Sequence, residues 1–310
     1  MSPDDRVVVT GASGLLGACV ALLARDGGAA VTALYDHHPI RPPGVDTRPL
    51  DLLDDAAVRA LVSELRPRWV VHCAAATGVD WCEDHPDGAR RINAGASGVL
   101  ARAAADVGAR LAYVSTDSVF DGARGGYTED DAPAPLNAYA RSKLEGEARV
   151  REALPGALVL RTNLYGWNAQ AKQSLAEWML ARLEAGETVP GFTDVVFAPL
   201  LANDLAAMIL EMLGRGMTGT WHLAAAGACS KYDFARALAR EFGHDPGRVA
   251  PALSSDAAFH APRPRDTSLD ATRAAAALGR PMPTVAEGLR RFRTLREDGY
   301  LNLLKACTAQ

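Results

Sequence analysis

The sequence predicts an α/β fold, a doubly wound parallel sheet with a smaller C-terminal α+β lobe. Three observations carry this reading. Short β-branched runs alternate with longer helical patterns through the first half of the chain. The runs are apolar on both faces, as in Val7-Val8-Val9 and Trp69-Val70-Val71-His72-Cys73, which suits strands covered by helices on both sides. A glycine-rich turn follows the first run and opens the first helix.

Taken in order, residues 7–10 read as a strand and 15–25 as a helix. A strand follows at 30–35, then a short one ending at Asp51. Residues 54–65 read as a helix whose acidic opening suits the positive end of its dipole. Next come a strand at 69–73, one long helix at 86–107, a strand at 110–115, a helix at 138–153 and a strand at 157–161. Beyond residue 161 the pattern loosens. Helices are expected at 173–185 and 203–213, a strand at 220–223, and a helix capped by Ser230 and running to about 242. Residues 244–268, rich in Pro, Ala, Ser and Asp, read as loop. Helices at 271–278 and 285–296 come last, and the tail after Tyr300 is expected to be poorly ordered. On this reading residues 1–165 form the first domain, to which 195–224 return, while 166–194 and 225–300 form the lobe.

The chain has 310 residues, enough to bury a substantial core. Its net charge is −4 and its basic residues are scattered, which argues against a nucleic-acid partner. No apolar run approaches the roughly 20 residues a membrane span needs. The cysteines (Cys19, Cys73, Cys82, Cys229 and Cys307) are odd in number, widely spaced and form no C-x-x-C, so neither a disulfide framework nor a zinc site is expected. The stretch before Val7 lacks a basic segment followed by an apolar one. A cytoplasmic location is expected. His85, with Glu83, Asp84 and Asp87, reads as a solvated cluster at a helix start, and no metal is expected. A homodimer stays an open alternative that no motif carries.

Thr10-Gly11-Ala12-Ser13-Gly14-Leu15-Leu16-Gly17 places glycines at i, i+3 and i+6 of the first strand-to-helix turn. Gly11 permits the tight turn, Gly14 a close approach of backbone to a pyrophosphate, and Gly17 close packing of the helix. The N–H groups from Ser13 to Gly17 would then face the phosphates. This points to a Rossmann-type site for NADH or NADPH. Asp36, about 20 residues further on, suits a ribose 2′-hydroxyl, whereas His37, His38 and Arg41 suit a 2′-phosphate. The two cofactors stay open alternatives. Asp51, with Leu52 beside it, is a candidate for the adenine edge. Capping of the helix near Asp54 is the alternative.

Tyr139 and Lys143 are four residues apart, hence on one helical face. A phenol titrates near 10 and is a poor acid–base catalyst at neutral pH unless a neighbouring ammonium stabilises its anion. Upstream, Ser115-Thr116-Asp117-Ser118 ends a strand, where ligands of open α/β sheets bind. A hydroxyl there can polarise a substrate carbonyl.

With these segments the chain resembles the extended short-chain dehydrogenase/reductase superfamily, and more narrowly it is similar to the dTDP-4-dehydrorhamnose reductase family. The likeness rests on TGASGLLG (10–17), CAAATGVDWCE (73–83), INA (92–94), STDSVFDG (115–122), PLNAYARSKLEGE (135–147), LRTNLYG (160–166), LANDLA (201–206) and RPRDTSLD (263–270). The resemblance implies a substrate-binding C-terminal lobe and reduction of a keto group on a nucleotide-linked sugar by NADPH or NADH. It implies Thr116, Tyr139 and Lys143 as catalytic residues. It places Cys73, Ala74, Ala75, Ala76, Asn93 and Thr162 along the cofactor cleft, with Arg161 to Asn163 near the nicotinamide. Thr77, Val79, Asp80, Thr116, Asp117, Ser118, Asn163, Trp167 and Arg263 are the implied substrate contacts. The chain departs from the family at Asp194-Val195-Val196-Phe197-Ala198-Pro199 and at Trp81-Cys82, and both departures bear on which sugar is recognised. Sugar-nucleotide dehydratases carry an Asp-Glu pair after the threonine. Here Ser118 stands in place of the Glu and cannot act as that base, which disfavours dehydration. Epimerisation, or a non-catalytic regulatory role similar to that of the methionine adenosyltransferase β subunit, are the alternatives.

Overall fold

The computed structural model describes residues 4–308. The first half runs β1 (Arg6–Thr10), α1 (Leu15–Asp26), β2 (Ala30–Tyr35), β3 (Asp46–Pro49), α2 (Asp55–Leu65), β4 (Trp69–His72), α3 (Val79–Asp84), α4 (Pro86–Arg90), α5 (Ala96–Asp106), β5 (Arg110–Val114), α6 (Ala138–Ala153) and β6 (Leu158–Thr162). It continues with β7 (Leu164–Tyr165), α7 (Leu175–Glu184), β8 (Val189–Phe192), β9 (Val196–Phe197), β10 (Leu200–Leu201), α8 (Ala202–Gly214) and β11 (Gly219–Leu223). The last elements are β12 (Cys229–Ser230), α9 (Lys231–Glu241), β13 (Val249–Ala252), α10 (Thr272–Leu278), α11 (Val285–Glu297) and α12 (Tyr300–Ala306).

Seven strands form one parallel sheet in the order β11-β6-β5-β4-β1-β2-β3. The predicted doubly wound α/β fold is therefore present. Alternation along β1 explains why its run is apolar throughout: Val8 packs into the core shared with Val58 and Val62 of α2 and Leu100 of α5, whereas Val7 and Val9 face Val20 of α1 and Ile209 of α8. Chain order reverses between β1 and β4, and a crevice at the carboxyl ends of the strands is expected there.

Outside that sheet β8 and β13 pair in parallel, from Val189 with Val249 to Phe192 with Ala252. β13 lies inside the stretch read from sequence as loop. Its alternating Val-Ala-Pro-Ala is too small and proline-broken to signal a strand.

Three further expectations are corrected. The long helix at 86–107 is interrupted by a π-helical turn over Arg91–Gly95 between α4 and α5. Such turns are rare and cluster at functional sites, and this one holds the buried Asn93. The short helix α3 was not expected. The segment after Tyr300 forms α12, with Leu304 and Cys307 buried. There Tyr300 donates to Cys19 Sγ at 3.3 Å, Lys305 Nζ donates to Asn168 O at 2.9 Å, and Arg41 N donates to Cys307 O at 2.7 Å. α12 packs on α11 and reaches α1 through Tyr300 and Cys19, contacts that local sequence cannot announce. Among the described residues no helix is long and apolar enough to cross a membrane.

Candidate active site

The phosphate loop is shaped by backbone contact. Gly11 sits at φ +63°, and a Cβ there would lie 2.7 Å from the Ala74 backbone, so β4 and the loop meet with no space for a side chain. A Cβ on Gly17 would lie 2.2 Å from the Gly11 carbonyl oxygen. The third glycine thus lets α1 close on the loop itself, and not only on the sheet. At Gly14 a Cβ would meet only that same oxygen, at 3.2 Å. Gly14 is the N-cap of α1, brings no side chain to the free N–H groups, and no acid stands in the first turn. A helix start left open in this way accepts an anion.

A buried chain of hydrogen bonds ties this loop to the π-helical turn. Thr10 Oγ1 is 2.6 Å from His72 Nδ1, and His72 Nε2 is 2.9 Å from Ser97 Oγ. Ser97 donates its one proton to Asn93 O at 2.8 Å, so His72 carries its hydrogen on Nε2 and accepts from Thr10 on Nδ1. Burial, with the charge of Lys143, pushes His72 down to about 3, so it stays neutral in this role. The Asn93 amide does a second job. Its Oδ1 accepts from Ala76 N at 2.8 Å, and its Nδ2 donates to Ala76 O at 3.1 Å and to Ser142 Oγ at 2.9 Å. It therefore holds the 73–76 segment against α6.

α6 starts at the N-cap Asn137, whose side chain accepts from Ala140 N, while Glu83 accepts from Ala138 N at 2.7 Å. Glu83 is thus a cap for the helix that carries the tyrosine, not part of a solvated cluster. Tyr139 is half-buried with the Thr116 side chain beside it; burial outweighs the help of the Thr116 hydroxyl and pushes the phenol up to about 12. Lys143 is buried, donates to Val114 O at 2.7 Å, and lies 4.1 Å from the centre of the Tyr113 ring. Burial pulls it down to about 7, against the opposing pull of Glu147.

Asp117 is a pin. It is 2% exposed, and its Oδ2 accepts from Asn163 Nδ2 at 2.8 Å and Thr267 Oγ1 at 2.6 Å, while its Oδ1 accepts from Thr116 and Ser118 at 3.1 Å each. Burial raises its pKa against these four bonds. It joins the Thr116 loop to β6 and to the late 263–270 segment, and its oxygens are already occupied. Beneath, Glu147 accepts from Ser115 Oγ at 2.6 Å and pairs with Arg161.

The structure brings Thr116, Tyr139, Lys143, Asp117, Ser118 and Asn163 together, with Cys73 to Ala76 held nearby by Asn93. Others fall elsewhere. Trp167 is buried, stacked on Phe292 at 3.9 Å with its indole N–H donating to Phe292 O at 2.8 Å, which speaks for packing over substrate contact. Arg161 is turned inward to Glu147, and Thr162 beside it is buried. Asp51 accepts from Leu53 N at 2.8 Å in the turn before α2, whose N-cap is Asp54, with Leu52 half-buried beside it. Asp36 is exposed at the end of β2, with His37 Nε2 3.3 Å away. Thr77 is exposed and accepts from Lys172, and Val79 is half-buried on α3. Arg263 is not a free loop cation, because it pairs with Asp80 at 2.9 Å, and Asp80 also accepts from Ala261 N. His72, Glu147 and Lys231 were missed. A histidine inside an apolar strand and a glutamate eight residues after Tyr139 were the available signals. Among the described residues no group of His, Cys, Asp and Glu is placed to hold a metal ion.

A family model described as "RmlD substrate binding domain" matches residues 5–296. The chain is 37% identical to the probable low-salt glycan biosynthesis reductase Agl14 of Haloferax volcanii over 286 residues, 91% of this chain and 95% of the relative. It is 34% identical to methionine adenosyltransferase 2 subunit beta of Rattus norvegicus, over 87% of this chain and 82% of that one. Its fold matches the crystal structure of dTDP-4-dehydrorhamnose reductase from Bacillus anthracis in complex with NADP, with a TM-score of 0.81, 31% identity, and coverage of 95% of this chain and 99% of that chain.

Proposed function

The chain belongs to the RmlD substrate-binding-domain family, and from that membership we infer that it is an NAD(P)H-dependent reductase of a keto group on a nucleotide-linked deoxysugar. The observation that carries this reading is the meeting of Thr116 with Tyr139 on α6, one helical turn from Lys143, at the carboxyl ends of the central strands. The glycine cradle and the uncapped start of α1 suit the pyrophosphate of a dinucleotide. Gly11 to Gly17 would hold it, with Cys73 to Ala76 along its path. When bound, the cofactor supplies the hydride.

The chain's own groups do the rest. Tyr139, kept protonated at neutral pH by its burial, donates the phenol proton to the carbonyl oxygen as that oxygen becomes an alkoxide. Thr116, whose hydroxyl donates to Asp117 in this structure, would turn that one proton to the same oxygen when substrate is bound. Lys143, charged at and below about pH 7, stabilises the tyrosinate left behind. Val114 O fixes the lysine, and Asp117 fixes the loop that carries Thr116. Dehydration is disfavoured because Ser118 stands where a base is needed and spends its proton on Asp117. The five cysteines are all free, which supports a reducing compartment, the cytoplasm.

The 34% identity with the β subunit of methionine adenosyltransferase 2 favours a second reading, a cofactor-binding subunit without turnover. One experiment separates the two. Nucleotide keto-sugars are added to the protein with NADPH or NADH, and the absorbance of the reduced cofactor is followed. The reductase reading requires stoichiometric loss. Isomer exchange without net oxidation would point to epimerisation, and binding without either would point to the subunit role.

A further inference from the structure

Lys231 opens α9, where its backbone N–H donates to Val195 O at 2.9 Å. Its ammonium lies 5.8 Å from the centre of the Phe192 ring, and no hydrogen bond or ion pair engages it among the described residues. The charges of Asp117 and Arg263 both bear on it, and burial holds its pKa down. Through the Phe192 and Phe259 rings the cation adjoins the late loop that carries Arg263. A half-enclosed ammonium that has lost water and gained no acceptor is costly to keep. A ligand anion would supply the missing partner.

The surroundings narrow the ligand class. Phe192 and Phe259 meet edge to face with centroids 5.9 Å apart, and the Arg263 guanidinium lies 5.0 Å from the Phe259 ring centre. Arg263 is answered by Asp80, whereas Lys231 is not. Phe259 is 42% exposed, unusual for a phenylalanine that only fills a core. The late loop carrying it is tied to the catalytic helix, because Asn137 donates to Pro262 O at 2.9 Å two residues before Tyr139. One corner thus offers a free cation and an exposed aromatic face, next to the catalytic group. A nucleoside diphosphate has the matching parts, an anion and a planar ring.

We propose that Lys231 and Phe259 form the nucleoside-diphosphate subsite of this chain, with Lys231 Nζ on a phosphate oxygen and the Phe259 ring under the base. The proposal rests on the nucleotide-sugar reading and adds two residues to it. It makes the lobe's grip electrostatic on one side and stacking on the other.

Calorimetric titration of thymidine diphosphate and of uridine diphosphate into the full chain with NADPH bound tests it. Lys231→Met is expected to weaken binding of the nucleoside diphosphate by roughly ten- to a hundred-fold, the loss of one charge-assisted hydrogen bond. Lys231→Arg should stay within a few-fold. Phe259→Ala should weaken the nucleoside diphosphates about ten-fold, in line with loss of a stacking face, while inorganic pyrophosphate binds as before. NADPH affinity should be equal in all four proteins. The subsite is overturned when Lys231→Met binds within two-fold of the parent, or when the parent binds neither diphosphate. Turnover reads the reaction separately. A parent that oxidises no NADPH with keto-sugar, yet loses thymidine diphosphate on Lys231→Met, keeps the subsite and loses the reductase. A Lys231→Met protein that reduces keto-sugar with the parental KM keeps the reductase and loses the subsite.

Discussion

Glu147 and Arg161 form a two-pronged buried ion pair, with Nε 3.0 Å from Oε1 and Nη2 2.9 Å from Oε2, and Glu147 also accepts from Ser115 Oγ beside Thr116. Burial works to raise the carboxyl's pKa, but the Arg161 bonds and charge, with Ser115 and Arg151, hold it below the usual range. Such a pair adds little net stability over apolar packing, yet breaking it leaves a buried charge alone. Arg161→Met alone should cost about 3–5 kcal/mol in urea unfolding, whereas Glu147→Met with Arg161→Met should recover most of it. A single-mutant cost below about 1 kcal/mol would mean the pair is hydrated and its burial misjudged.

Tyr139→Phe removes the proton donor and leaves the ring packing. It should lower kcat by roughly 10²–10⁴-fold, the range of general-acid losses, with NADPH affinity and melting temperature close to the parent's. Steady-state rates with a competent keto-sugar, together with a cofactor titration, check both halves. Retained turnover would take the proton-transfer role away from Tyr139.

Lys143 links activity and stability in opposite senses. Its pKa falls from the ordinary 10.5 to about 7 in the folded chain, so the unfolded chain holds more protons between those values, and stability should rise with pH through that window. Below about 7 the buried ammonium is fully charged and its cost fully present. Lys143→Met should therefore melt higher than the parent at pH 6, with the gap shrinking toward pH 10, while turnover is lost. The parent's kcat/KM should decline as pH rises through about 7 and the ammonium is lost. A flat profile from pH 6 to 9 would show that the charge of Lys143 is not needed.

Gly17→Ala puts a methyl group 2.2 Å from the Gly11 carbonyl oxygen. Overpacking of this kind costs about 1–3 kcal/mol, and it should distort the loop meant for the pyrophosphate. A lower melting temperature with NADPH bound at least ten-fold more weakly is expected by fluorescence titration. Loss of stability with unchanged cofactor affinity would remove the phosphate role from this turn.

Trp167 supplies the converse case. Trp167→Phe keeps a ring against Phe292 but removes the indole N–H bond to Phe292 O, a carbonyl that α11 already engages. It should cost about 0.5–1.5 kcal/mol in thermal or urea unfolding, with kcat and KM for the keto-sugar unchanged. A rise in KM without a stability loss would return Trp167 to the substrate side.

The parallel sheet was legible because its strands are locally complete signals: β-branched, apolar on both faces and separated by helices of regular length. Tyr139, Lys143 and Thr116 were legible by their distance from a glycine turn in that series. What stayed hidden depends on partners far away in the chain. Nothing near Trp167 announces Phe292, and nothing near Arg161 distinguishes a guanidinium aimed at a cofactor from one aimed at Glu147. The π-helical turn was hidden for a related reason, since its residues keep an ordinary helical pattern. β13 was hidden because a strand of Val-Ala-Pro-Ala gains its identity only from β8.

The docking of α12 against the start of the chain has a consequence for how the molecule is made. Residues near the end of the chain are hydrogen-bonded to Cys19 and Arg41, near its start. β11 completes the sheet edge against β6 only after the intervening segments have been laid down. Contacts so distant in sequence are slow to form. During synthesis α1 therefore lacks its Tyr300 partner at Cys19 until α12 emerges. Chaperone capture of nascent chains truncated before residue 300 should exceed that of chains carrying α12.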